Sequence, residues 1–158
     1  RPRRDDRMNR NRLYLLLLTA VALLALSPGP GRTADGSAVR EIGDYAIHYN
    51  AMPAAQLDPG LAARYGLPQG GDRCVVTVAV VDRETGAMVE AGIMGSATRP
   101  DGRMHHLELR RVQDEGGVYY VAALPLESSP QLEFKLEVRP EPSVAPQTIR
   151  FSRSFAQP

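Results

Sequence analysis

Three histidines, five methionines and a single cysteine are the residues of this 158-residue chain best suited to hold a soft metal ion. His48 sits at a spacing of two from Asn50, His105 and His106 are adjacent, and Met52, Met94 and Met104 add thioethers of the kind that select copper. Adjacent residues of a strand point to opposite faces, so His105 and His106 are not expected to share one ion. Without Cys or His pairs at ligand spacing, no metal ligands and no cofactor are predicted, and a copper or other metal-binding role stands as an alternative. No catalytic residues are predicted either. Ser96, Asp101, Glu108, Asp114 and Glu115 are scattered members of no nucleophile–base pair, and Gly-x-Ser-x-Gly, a phosphate-cradling loop and a dinucleotide fingerprint are missing. An enzyme of unrecognised type is the remaining alternative to a non-catalytic protein. Cys74 opens an apolar run and reads as a small buried hydrophobe. Tyr45, Tyr49, Tyr65, Tyr119 and Tyr120 carry most of the aromatic content; Tyr45 and Tyr49 fall on the Ile47 face and read as core. The candidate binding groove is formed by His48, Asn50 and Tyr65, between the first strand and the helix that follows it.

The elements that must position these residues are mostly strands. In Gly43 to Asn50, Tyr45, Ile47 and Tyr49 alternate with Asp44, Ala46, His48 and Asn50, the pattern of a half-buried strand. Leu57 to Gly66 switches period: Asp58 can cap, Pro59 suits the first helical position and Gly66 can close a short helix. Cys74 to Asp82 is continuously apolar and β-branched, which suits a central strand buried on both faces. Further strands are predicted over 89–98, 104–112, 118–124, 132–138 and 148–155, separated by turn residues such as Arg99-Pro-Asp-Gly102. The cleanest alternation is Leu132, Phe134, Leu136 and Val138 against Glu133, Lys135 and Glu137. Seven strands in about 115 residues, with one short helix after the first strand, predict an all-β antiparallel immunoglobulin-like β-sandwich, with a small barrel as the alternative.

Residues 1–34 carry seven Arg against two Asp, which leaves twelve Lys plus Arg against sixteen Asp plus Glu in the remainder. A mildly acidic folded part disfavours a nucleic-acid partner. The basic segment runs into an uncharged apolar stretch, Leu13 to Leu26, followed by Ser27-Pro-Gly-Pro-Gly31, the layout of a cleavable signal peptide. Fourteen helical residues rise only about 21 Å, short of a bilayer core, so anchoring in the inner membrane by an uncleaved leader is the lesser alternative. Met8 is the expected initiator. Cleavage after Ser27, Gly31 or Ala38 fits a small-x-small rule, and no Cys follows the apolar stretch to take a lipid. The expected organisation is an extension and signal peptide over 1–34, a linker over 35–41 and a single β-sandwich domain over 42–158. A lone Cys makes no internal disulfide in an oxidising compartment, so packing alone must hold that domain.

The run Ile42-Gly-Asp-Tyr-Ala-Ile-His-Tyr-Asn-Ala51, Leu57 with Ala63-Arg-Tyr-Gly-Leu67, the Val75 to Asp82 strand and Gly95-Ser-Ala-Thr98 resemble the DUF4426 family of short exported Gram-negative proteins. The resemblance covers Ile42 to Phe155. It implies a periplasmic location and a compact single domain, and it supplies no site residues. The resulting expectation is a periplasmic, non-catalytic binding or interaction module for a protein, peptide or envelope component, touching the membrane only through its leader.

Overall fold

The computed structural model describes residues 37–114, 116–127 and 131–155. The chain divides into two units, 1–33 and Ala34–Pro158, and the described residues all belong to the second. The leader, its first two cleavage candidates and the start of the linker lie outside the described residues.

Ten antiparallel strands form two sheets among the described residues. The first contains β1 (Ser37–Ile42), β2 (Tyr45–Pro53), β3 (Arg73–Asp82), β8 (Gly117–Pro125) and β7 (Arg110–Asp114), hydrogen-bonded in that order, with β4 (Met88–Val89) also on β3. The second is ordered β10 (Gln147–Ser154), β9 (Gln131–Arg139), β5 (Gly92–Thr98), β6 (Met104–His106). Their facing sides build one core: Ile47, Cys74, Val76, Val78 and Val80 from the first sheet meet Ala97, Phe134, Leu136, Val138 and Ile149 from the second. Each such large apolar side chain contributes about 1.5–3 kcal/mol by leaving water. Phe151 bridges the layers, its ring 4.8 Å from Tyr49 and 4.9 Å from Phe134.

The two-sheet, all-β architecture holds, and three expectations are corrected in detail. Residues 37–41, expected within the linker, form β1 together with Ile42, and it pairs residue for residue with β2 from Ser37 opposite Asn50 to Ile42 opposite Tyr45. Its small polar composition hid it, because a strand with a neighbour on one edge only among the described residues and an exposed Val39 needs little apolar alternation. The run 89–98 divides: β4 pairs with β3 in the first sheet, whereas β5 pairs with β9 in the second. The run 104–112 divides in the same way into β6 and β7, with Leu107 buried as the chain crosses between sheets. A crossover that keeps alternating apolar residues looks, in sequence, like one continuous strand.

The short α-helix after the second strand, α1 (Pro59–Tyr65), starts and stops where the sequence predicts. The Asp58 carboxylate accepts the Leu61 N–H at 2.9 Å, and Gly66 takes the left-handed conformation (φ 60) that closes the last turn. The helix lies on the outer face of the first sheet, where Ala62, Leu57, Tyr65 and Leu67 pack with Val75, Val121 and Val112. That second apolar patch explains why β3 is buried on both faces.

Candidate functional site

Strand parity and register place the predicted groove residues. On β2 the core side takes Ile47, Tyr49 and Ala51, so His48 and Asn50 fall on the outer face of the first sheet. His48 stands opposite Val39 of β1 and Ala79 of β3, and Asn50 stands opposite Thr77. Both are half-buried. Burial pushes the His48 imidazole below its ordinary value of 6.5, so it is neutral at neutral pH. The Asn50 side-chain oxygen is buried and has no hydrogen-bond partner among the described residues.

Tyr65, the last residue of α1, is on the same outer face. Its hydroxyl donates to Asp114 Oδ2 at 2.6 Å, and its main-chain oxygen accepts from Arg110 Nη2 at 2.7 Å. Arg64 Nη1 also reaches Asp114 Oδ2, at 3.0 Å. Burial, reinforced by the hydrogen bond to Asp114, drives the Tyr65 hydroxyl well above its ordinary range. Tyr119 is raised too, by burial first and by the Asp114 charge second. Both phenols therefore stay protonated, and that of Tyr65 donates to Asp114. Thr77 and Ala79 of β3 lie between His48 and Asn50 on one side and the Tyr65–Asp114–Tyr119 cluster on the other; among the described residues no hydrogen bond joins the two sides.

The sequence names Asp114 only among scattered carboxylates and Tyr119 only among the tyrosines, and places neither at this site, although Arg110, Val112 and Asp114 alternate onto one face of β7. The arrangement offers hydrogen-bond donors and one orphan acceptor, with its carboxylate already held by a phenol and a guanidinium. A nucleophile with a base beside it does not occur there.

The soft donors do not converge as the copper alternative needs. His48 and Met52 are on the outer face of the first sheet, while Met94, Met104 and His106 are on the outer face of the second, with the core between them. His105 and His106 do point to opposite faces, opposite Ala97 and Ser96 respectively. Among the described residues no group of three or more His, Cys, Asp or Glu side chains could hold a metal ion. Cys74 is buried, and desolvation pushes its thiol up to about 12, opposed in part by the charge of Arg153. Arg153 itself is half-buried on the core-side parity of β10, with its Nε buried and without a hydrogen-bond partner among the described residues.

Fold and site together define a small two-sheet β domain whose first sheet carries the helix beside His48 and Asn50 on its outer face and whose second sheet carries thioethers on its own. The family model described as a domain of unknown function, DUF4426, matches residues 39–157, and the chain belongs to that family. The solved structure of a DUF4426 family protein from Pseudomonas aeruginosa is similar at 32% identity and a TM-score of 0.65, covering 75% of this chain and 94% of that one. Two structures of FetP from uropathogenic Escherichia coli strain F11 share the fold at far lower identity. A copper-bound variant aligns at 9% identity and a TM-score of 0.55 over 77% of this chain and 95% of that one. FetP as isolated from recombinant expression in the periplasm of E. coli aligns at 10% identity and a TM-score of 0.56, over 77% and 94%. No curated protein matches the chain. Among the described residues no helix is long and apolar enough to cross a membrane.

Proposed function

We propose that this protein is an exported, periplasmic, non-catalytic binding module whose site is the outer face of the first sheet around His48, Asn50 and Tyr65. One observation carries the reading: the buried, unpartnered Asn50 oxygen beside a half-buried, neutral His48. A buried acceptor without a donor costs about 1–3 kcal/mol, which a ligand N–H or O–H would recover. The ligand that suits this face is a hydrogen-bonding, uncharged one, such as the backbone or side-chain amides of an envelope protein or peptide. The edge of β1, opposite His48 and with no further strand on it among the described residues, offers such a chain a strand to pair with. The strand order β2-β3-β8-β7 facing β10-β9-β5, comparable to A-B-E-D against G-F-C, supports reading the scaffold as immunoglobulin-like.

A photo-crosslinking residue at exposed Val39, in the same register row as His48, tests the proposal in living cells against the same residue at exposed Thr148 on the other sheet. A discrete adduct from position 39 and not from 148, lost in Asn50→Leu, is expected. Equal adducts from both positions, or an adduct indifferent to Asn50→Leu, would overturn it.

A second reading, copper handling, is favoured by one observation: Met94, Met104 and His106 share an exposed sheet face. The copper-bound FetP structure has the same fold and supports this reading by analogy.

A further inference from the structure

We infer that Met104 and His106 of β6 form a binding site for a soft monovalent cation, Cu(I), with Met94 as a second thioether on the other side of His106; the inference rests on the copper reading above. Residues two apart on a strand project from the same face roughly 7 Å apart, so a thioether and an imidazole in that relation can close on one ion between them. His106 is opposite Ser96 and Met104 opposite Thr98, which fixes both on the outward face of the second sheet. Met94, two residues before Ser96 on β5, is diagonal to His106, at about 7–8 Å. Met94 and Met104 flank His106 from opposite directions, too far apart for one ion to hold both sulfurs, so His106 pairs with one thioether at a time.

The donor set selects the ion. Zn(II) and Cu(II) need three or four nitrogen, sulfur or carboxylate donors, and the described residues offer no such group. Cu(I) accepts two soft donors, and thioether sulfur is among the ligands that prefer it. Packing gives no reason for the thioethers to be where they are: Met94 is 68% exposed and Met104 57%, and with Val39 they are the large hydrophobics exposed among the described residues. The charges on this face do not forbid a cation. Lys135, in the His106 row, is turned to Glu137 Oε1 at 2.6 Å, and Glu133 lies in the Met104 row; Arg150 is one strand further off.

The test is anaerobic titration of the full chain with Cu(I) against a chromophoric Cu(I) chelator, with the methionine ε-methyl and histidine ring signals followed by NMR. One equivalent retained, with shifts at Met104, His106 and Met94 and none at Met52 or Met88, is expected. Met104→Leu and His106→Ala should each weaken retention at least about tenfold, and Met94→Leu by less. These positions are exposed or on the short edge strand, so folding is not at stake. Equal retention by Met104→Leu and His106→Ala would overturn this site while leaving copper handling standing, and release of all Cu(I) to the chelator would overturn both.

Discussion

Gly95 leaves room in the core for two leucines where the chain crosses between the sheets, and replacing it with alanine tests that arrangement. A Cβ there would lie 2.8 Å from Leu136 Cδ2 and 2.9 Å from Leu107 Cδ1. Leu136 is fully buried and Leu107 nearly so, and the Leu107 N–H donates to the Gly95 oxygen at 2.9 Å, which leaves little room for either leucine to withdraw. Alanine gains about 0.5–1 kcal/mol over glycine in a strand from the smaller entropy it loses. Overpacking a filled core costs roughly 1–3 kcal/mol. The expected net effect of Gly95→Ala is thus a destabilisation of about 1–2 kcal/mol. Leu107→Val shortens a buried side chain by one methylene at the same spot and alone costs about 1 kcal/mol. Together the two substitutions should cost less than their sum, by about 1 kcal/mol, because the new methyl occupies the vacated space. Urea unfolding followed by tyrosine fluorescence suits a chain with six Tyr and no Trp. A stabilised Gly95→Ala, or strictly additive double-mutant energies, would refute the packing argument. The same variants bear on the cation site, since Leu107 follows His106 directly.

Two further outcomes follow from the buried groups. The folded-state value of His48 lies below 6.5, so the unfolded chain takes up a proton first as pH falls. The neutral imidazole's contribution is complete above about 6.5 and is lost as pH drops through that value toward the lower folded one; stability curves of the wild type and His48→Gln should diverge in that window, and parallel curves would contradict the burial of His48. Val78→Asp puts an unpaired charge at a position 1% exposed, between Tyr49 and Tyr120 on the neighbouring strands. The penalty of several kcal/mol against a total of about 5–15 should abolish cooperative unfolding in circular dichroism, and a normal transition would displace β3 from the centre of the sheet.

The elements legible in sequence are those whose local chemistry and tertiary role coincide. Asp58, Pro59 and Gly66 bound α1 because cap and left-handed closure are decided within a few residues. Cys74 to Asp82 reads as central because burial on both faces leaves no polar alternation. The divisions at Glu90–Ala91 and Leu107–Leu109 were not legible, because a chain changing sheets there keeps an apolar residue at alternate positions; Ala91 is held by the Tyr120 hydroxyl, 29 residues away, a contact no local pattern encodes. β1 was missed because its evidence lies in β2. The site was half legible. Period-two alternation put His48 and Asn50 on one face, but the approach of Asp114 to Tyr65 depends on β7 lying beside β8 and under α1.

Arg153 bears on how the open flank of the second sheet meets other chains. β10 closes one side of the second sheet with eight residues whose outward amides and carbonyls have no neighbouring strand among the described residues. Such an edge is a template on which another chain could crystallise one strand at a time. A guanidinium set at a core-side position spoils the template, because a strand added there would have to shut a partly unpaired charge away from water. One arginine thereby makes the open flank of the sandwich a poor template for a second chain.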